Sequence, residues 1–373
     1  MDTVNEAGAL RVRRNDSNID DTPFFSIIMP SYGVEPYIEA ALNDIQAQTF
    51  ADWELIVVDD GSPDSAAQIV REHMVTDDRI RLARHDSNRG LSAARNTGIS
   101  YARGEYVWIP DPDDRYDPTL LARVHAILSA TVADAVVFGC TEEYFDAEGN
   151  LTGTREIVPP VSGTVTGETL HRCVLDLEEA TLYGYAWNKV YKRSMLSGLS
   201  FEVVPLIEDI LFNIAFFQNA CVCAFLDEAP YRYAKRLRAN LTNKFVPEYY
   251  QVHRRRIEAL FDQQCSWGFD NLEVRSRLGS LYGRYIMSAL ERNCDPRARF
   301  DHEGRIAWCR SVFADPLFQS LIPYAASRGG KALSLGLAVL KTRSALACCI
   351  FGRVIHLVRG SGSRMYARLK MQR

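Results

Sequence analysis

Between Gly104 and Asp117 the chain reads GEYVWIPDPDDRYD, which sets three carboxylates, Asp111, Asp113 and Asp114, into four positions. Carboxylates this crowded repel one another unless a cation or a hydrogen-bond donor lies between them. A hard divalent ion such as Mg2+ or Mn2+ meets that need, because it takes oxygen ligands and keeps places open for phosphate oxygens. The plain alternative is an acidic turn capping a helix that starts near Pro118, since Asp and Pro also favour helix starts. A second acidic pair, Glu208–Asp209, opens the helical stretch Pro205 to Phe212, where the helix dipole favours carboxylates in the first turn.

The segments around the carboxylates indicate what must position them. Tyr106 to Ile109 is an apolar, strand-favouring run that stops at Pro110. Phe24 to Met29 reads as a buried strand ended by Pro30, Leu55 to Val58 as another ended by Asp59–Asp60–Gly61–Ser62, and Ile80 to Ala83 as a third. Between them, Ile38, Ala41, Leu42 and Ile45 fall at helical spacing to about Gln48. Pro63 sits at a first helical position with helix to about Val75, and Leu91 to Ala102 forms the next helix. The alternation predicts an α/β class: a doubly wound, mostly parallel sheet, whose ligands bind beyond the carboxyl ends of the strands. Those ends carry Pro30–Ser31–Tyr32, Asp59–Asp60 and Asp111–Asp113, and Asp60, Asp111 and Asp113 are expected to meet around one cation. Tyr32 can stack on a base and Asp60 can accept from a base N–H or a ribose hydroxyl; the alternatives are a turn tyrosine and an Asx cap. Arg95, inside NRGLSAARNTG, lies where a guanidinium can reach the acidic cluster or a phosphate, while Arg89 serves equally as a surface ion pair. Neither G-x-G-x-x-G nor G-K-[ST] occurs, which argues against a dinucleotide enzyme and a P-loop NTPase.

Bulk properties add a charge asymmetry. The net charge of −4 conceals ten Lys or Arg and no Asp or Glu from Arg328 to Arg373, leaving 33 basic against 47 acidic residues in the remainder. Such a tail suits an anionic surface, and no nucleic-acid partner is expected. Nine scattered Cys without a C-x-x-C pair indicate neither a zinc site nor a disulfide framework, and read as core residues in a reducing cytosol. The polar N-terminal stretch shows no apolar signal segment, and no run of 18 apolar residues predicts a spanning helix.

The blocks PSYGVEPYIEAALNDIQAQTFADWELIVVDDGSPD and NRGLSAARNTGISYARGEYVWIPDPDD resemble the nucleotide-sugar half of family-two glycosyltransferases, inverting enzymes of the GT-A fold that build bacterial surface polysaccharides. The resemblance covers about Phe24 to Asp117 and implies a donor site at Pro30, Ser31 and Tyr32. It puts Tyr32 and Asp60 on the nucleobase, Asp111 on ribose or metal, Asp113 on metal, and Arg95 toward the donor. It further implies a Mn2+ or Mg2+ cofactor and a nucleotide-sugar donor, UDP-linked foremost. Two departures are visible: Gly33 stands where the family usually has Asn, and Pro112, which stiffens the loop, where Ser or Ala is common. The same relatives carry a W-x-K-x-Y-like block followed by an E-D pair and an aromatic, here Trp187, Lys189 and Tyr191, then Glu208–Asp209 and Phe212. That extends the resemblance to about Tyr233 and nominates Asp209 as general base, with Glu208 as its rival.

In the second half, Ala135 to Gly139 continues the sheet, Glu143 to Arg155 forms a hairpin turning at Glu148–Gly149–Asn150, and Tyr231–Tyr233 is a strand. Trp187 lines a sugar pocket or the core, and Lys189 meets a phosphate or solvent. Arg236 and Arg238 can close over a pyrophosphate, whereas His171, His253 and His302 lack ligand spacing. From about Pro247 the pattern turns helical, over Tyr250–Trp267, Leu272–Asn293 and Gly304–Phe313. Ala332 to Val358 then sets an apolar face beside Lys341, Arg343, Arg353 and Arg359, either on an anionic bilayer or packed as surface helices. The expected organisation is a disordered leader (1–22), a glycosyltransferase domain (23–240, donor half 23–117, acceptor half 118–240), a helical domain (241–327) and a basic amphipathic tail (328–373). The expected activity is metal-dependent, inverting transfer of a hexosyl or N-acetylhexosaminyl group to a hydroxyl of a glycan or lipid-linked acceptor, at the cytoplasmic face of the cell membrane with the protein peripheral. The competing expectations are a receiver-like module using Asp59–Asp60 and a degenerate nucleotide-binding module without transfer.

Overall fold

The computed structural model describes residues 22–236, 245–327 and 330–361. The leader expected at 1–22 lies outside them but for its last residue, and so does Arg238. The chain forms two compact units, Met1–Val203 with Ala215–Leu237, and Val204–Ile214 with Arg238–Arg373.

The first unit opens with β1 (Phe25–Ser31), α1 (Glu35–Gln46), β2 (Trp53–Asp59), α2 (Ala66–Thr76), β3 (Ile80–Arg84), α3 (Leu91–Tyr101) and β4 (Tyr106–Trp108). Every residue of β1 and β2 is buried, as strands covered on both faces require, with the apolar stretches Ile27, Ile28, Met29 and Leu55, Ile56, Val57, Val58 at their centres. Helix α2 starts at Ala66 rather than at Pro63. Asp64 intervenes, its carboxylate accepting the Ala66 N–H (3.3 Å) and the Glu35 N–H (2.9 Å), so the residues before Ala66 tie the tip of β2 to α1 instead of extending the helix.

Next come β5 (Arg115–Tyr116), α4 (Leu120–Ala130), β6 (Ala135–Phe145), β7 (Leu151–Ile157), β8 (Gly163–Thr166), α5 (Gly167–Glu179), β9 (Lys189–Lys192) and β10 (Val222–Arg236), with α6 (Glu208–Phe217) between β9 and β10 grouping up to Ile214 with the second unit. The sheet order is β3-β2-β1-β4-β9-β6-β10-β5, with β7 on β6 and β8 on β10. Strands β1 to β4 are parallel, as expected. β9 then pairs antiparallel with both β4 and β6, so β6 and its parallel partner β10 run the same way as β4. The sheet is thus parallel in its first half and mixed in its second, and the carboxyl ends of β1, β2, β4, β6 and β10 share one edge. The expected hairpin is β6–β7.

The second unit carries α7 (Tyr249–Ser266), α8 (Leu272–Arg292), α9 (His302–Ala314), α10 (Pro316–Leu321), α11 (Lys331–Lys341) and α12 (Ala345–Ser361). Asn271, Asp301 and Asp315 cap α8, α9 and α10 by accepting N–H groups of their first turns. Within the segment expected as a basic amphipathic tail, the described residues form two helices, separated at Thr342–Ser344, each with one face packed on α8. A Cβ built at Gly336 would lie 1.8 Å from Met287 Sδ, and one at Gly352 would lie 2.8 Å from the Leu290 carbonyl oxygen. Glycine at those positions lets the helices approach that closely.

Candidate active site

Asp111 to Asp114 form a turn closed by the Asp114 N–H on the Asp111 carbonyl (3.3 Å). Pro112 is the second residue of that turn, a position proline favours, so the departure from Ser or Ala fits the geometry. Below the turn lies an aromatic bracket. Trp187 stacks on Tyr231 (centroids 4.3 Å, 13°), Trp108 meets Tyr116 edge-on at 5.1 Å, and the Trp108 indole donates to the Trp187 carbonyl at 2.8 Å. Two phenols rise from it. Tyr116 donates to the Asp111 carbonyl (2.6 Å), and Tyr231 donates to Asp114 Oδ2 (2.7 Å) while accepting the Asp111 N–H (3.2 Å).

The three carboxylates meet three fates. Asp114 is 2% exposed, and its Oδ1 takes the Ala234 N–H (2.8 Å). Burial, reinforced by Asp113 and Asp111 nearby, pushes its pKa well up. Asp111 accepts from Arg95 Nη2 at 3.2 Å; that arginine is 1% exposed and lies over the Phe201 ring. Asp113 pairs with Arg236 Nη1 at 3.3 Å; burial raises its pKa and Arg236 opposes the rise. Asp111 and Asp113 therefore face the open side of the turn and Asp114 the core.

Asp60 is 2% exposed. Its carboxylate accepts from the Arg89 N–H (2.9 Å) and Gly90 N–H (2.7 Å) and meets His85 Nδ1 at 2.6 Å, while His85 Nε2 meets Thr97 Oγ1 at 2.9 Å. Gly90, at φ 92°, turns its N–H to Asp60 in a conformation that favours glycine. Asp60 thus secures the loop ahead of α3, and among the described residues no group of three or more His, Cys, Asp or Glu is placed to hold a metal ion. This corrects the expectation that Asp60 joins Asp111 and Asp113 around one cation. Asp59 is fully buried, with Oδ1 on the Ser62 N–H (2.9 Å) and Oδ2 on Arg84 (3.0 Å). A receiver needs an accessible aspartate at this tip, so that expectation falls.

Pro30 and Ser31 are the buried end of β1, and Tyr32 beyond them is 49% exposed, open for stacking. Gly33 sits at φ 66°, a left-handed conformation that both Gly and Asn adopt, which accounts for the exchange of one for the other. Lys189 is neither solvated nor at an open phosphate site. It is fully buried, with Nζ donating to the carbonyls of Leu182 (2.8 Å) and Tyr185 (2.5 Å) and to Asn188 Oδ1 (2.8 Å). Trp187 is core, and His253 is buried against Tyr285. Glu208 and Asp209 occupy the first turn of α6, in the portion that groups with the second unit. Leu206, just before them, has φ 69°, an uncommon conformation for a branched residue that costs about 1–3 kcal/mol and concentrates at functional sites.

His85 was not anticipated, and Asp114 was named only as one of three crowded carboxylates, without its inward role. His85 carries no ligand spacing, and its only sequence signal is its place one residue past β3. For Asp114 the signal was present, but its partner Tyr231 stands 117 positions away.

A cation fits this donor set in one way. Asp111 and Asp113 offer oxygen only, from two carboxylates, which suits Mg2+ or Mn2+ arriving with a diphosphate rather than an ion in an all-protein cage.

Residues 26–196 match the family model described as Glycosyl transferase family 2. The chain is 34% identical over 217 residues to an uncharacterized glycosyltransferase, EpsJ, of Bacillus subtilis (strain 168), across 57% of this chain and 61% of EpsJ. Over 94 residues it is 42% identical to the UDP-Glc:alpha-D-GlcNAc-diphosphoundecaprenol beta-1,3-glucosyltransferase WfgD of Escherichia coli, across 25% of this chain and 36% of WfgD. The matched segments thus span less than two thirds of either relative. Among solved structures, S. aureus TarS 1-349 in complex with UDP-GlcNAc superposes with a TM-score of 0.62 at 20% identity, across 91% of this chain and 92% of that one. That likeness establishes the fold, GT-A with a C-terminal helical region.

Proposed function

Residues 26–196 belong to glycosyl transferase family 2, and from that premise we propose that the chain is an inverting glycosyltransferase. It moves a hexosyl or N-acetylhexosaminyl group from a nucleotide sugar to a hydroxyl of a glycan or lipid-linked acceptor in cell-surface polysaccharide synthesis. UDP is the favoured nucleotide, supported by UDP-Glc in the name of WfgD and UDP-GlcNAc in the TarS complex. The observation that carries the proposal is the turn at the carboxyl edge of β4, where Asp111 and Asp113 are open and Asp114 is locked inward.

Tyr32 stacks on the base, and the loop that Asp60 fixes shapes the pocket for base and ribose. Asp113 and Asp111 would hold a divalent cation, which would supply neutralisation for the diphosphate leaving group. Arg95 holds and orients Asp111 through its guanidinium. Asp209, with Glu208 as rival, takes the proton of the acceptor hydroxyl as it attacks the anomeric carbon from the face opposite the nucleotide, so one carboxylate suffices and configuration inverts. A thermal-shift panel of nucleotide sugars with and without Mn2+ tests this reading: the true donor raises the melting temperature only with metal. A chain that no nucleotide sugar stabilises under either condition ends it.

The acceptor's carrier bears on the second unit. No helix among the described residues is long and apolar enough to cross a membrane. On α12, however, Leu346, Ile350 and Val354 follow helical spacing and are 55%, 55% and 51% exposed, beside exposed Arg353. That face, with the acid-free sequence around it, suits an anionic bilayer at the inner side of the cell membrane. Ile350→Glu should cut co-sedimentation with anionic vesicles about tenfold or more; equal pelleting of variant and wild type excludes the face.

A further inference from the structure

Arg236 closes β10, and its side chain is anchored by three groups. The guanidinium reaches Asp113 at 3.3 Å, lies over the Tyr37 ring at 4.3 Å and stands 5.5 Å from the Phe145 ring. The Phe145 contact follows from strand register, because Arg236 and Phe145 are paired partners in β10 and β6. Among the described residues Asp111 accepts from Arg95 and Asp113 from Arg236, with a difference. Arg95 on Asp111 is sealed at 1% side-chain exposure, whereas Arg236 is 21% exposed and Asp113 36%.

We propose that Arg236 and a divalent cation compete for Asp113, and that the guanidinium released by the cation pairs with the donor's diphosphate. This rests on reading Asp111 and Asp113 as the metal-diphosphate site. A divalent ion on Asp113 competes with Arg236 for the Oδ2 that the guanidinium now holds, and their like charges repel at such range. The planar guanidinium is weakly hydrated and stacks on aromatic rings, so Tyr37 and Phe145 keep it close after it leaves Asp113. Its fork then matches anionic phosphate oxygens. Metal alone must expel Arg236 with nothing to receive it, while metal with diphosphate gives the arginine a new partner. Metal and nucleoside diphosphate should therefore bind with positive coupling, and the coupling must be reciprocal. Arg95 lacks this freedom, being buried against Phe201.

Calorimetric titrations of the full chain with Mn2+ alone, UDP alone, and Mn2+ at saturating UDP test the competition. Wild type should bind Mn2+ at least about fivefold tighter when UDP is present. Arg236→Gln should bind Mn2+ alone about three- to tenfold tighter than wild type, bind UDP more weakly, and lose most of the enhancement. Arg236→Lys keeps the charge without the fork or the stack and should fall between. A folded Arg236→Gln that binds Mn2+ no tighter than wild type overturns the inference. Should that variant not fold, Arg236→Lys with wild-type metal affinity and wild-type coupling overturns it instead. Wild type that binds Mn2+ neither with nor without UDP removes the metal-diphosphate reading itself, which separates the two failures.

Discussion

The two units contrast in how they treat particular buried ionisable groups. In the sheet unit, ionisable groups are drawn inside and each is given a polar partner: Asp60 takes two backbone N–H groups and His85, Asp114 takes Tyr231 and Ala234, Lys189 takes two carbonyls and an amide. In the helical unit, His253 is buried beside Tyr285 with Nδ1 unpartnered, and burial with Arg256 and Arg292 nearby lowers its pKa to about 3, so it stays neutral. That unit also leaves an apolar face outside, on α12. The difference separates precision from adhesion. Charges held by several fixed donors, as at the sheet edge, can orient a substrate, while the open apolar stripe of α12 suits adhesion.

The largest expected effect tests whether the acidic pair on α6 belongs with the chemistry. Asp209→Ala should lower turnover by about 10²–10⁴ while leaving the metal-dependent, donor-induced thermal shift intact. Asp113→Ala should abolish the shift as well. Normal binding and turnover in both variants would break the contrast between a chemical and a binding carboxylate.

Next comes stability. Asp114→Ala leaves the Tyr231 hydroxyl and the Ala234 N–H without their acceptor and should cost about 2–4 kcal/mol in denaturant unfolding, whereas Asp113→Ala should stay within about 1 kcal/mol. Equal losses for the two would mean that the turn does not sort its carboxylates by burial.

The smallest effect sharpens the comparison from the helical side. The folded pKa of His253 lies below its unfolded value near 6.5, so the unfolded chain binds the extra proton as the pH falls. Stability from this group is complete above about 6.5 and is lost progressively toward 3. Between pH 6.5 and 5 the loss should reach about 2 kcal/mol, and His253→Phe should remove that component from the pH profile of unfolding. An unchanged profile would show that His253 is not held neutral.

Much of the sheet unit was legible because strands covered on both faces carry apolar stretches, here residues 27–29 in β1 and 55–58 in β2. Strand β10 was read only at Tyr231–Tyr233, although it spans Val222–Arg236, because Asp227, Glu228 and Pro230 interrupt the run where its register on β6 shifts between Leu226 and Tyr231. Lys189 misled for a related reason. A lysine reads as solvated until three oxygen acceptors from Leu182, Tyr185 and Asn188 converge on it.

Spacing along the chain by itself determined that carboxylates crowd at the end of β4, that the α/β alternation brings strand ends to one edge, and that Tyr32, Asp60 and Arg95 lie near those ends. Local sequence suffices there, since periodicity and turn residues act over a few positions. Only the tertiary structure decided which carboxylate faces inward, that Arg236 pairs with Asp113, and that Asp60 secures a loop. Those outcomes depend on desolvation and on donors such as Tyr231 and Arg236, more than a hundred positions from the turn, which chain spacing does not encode.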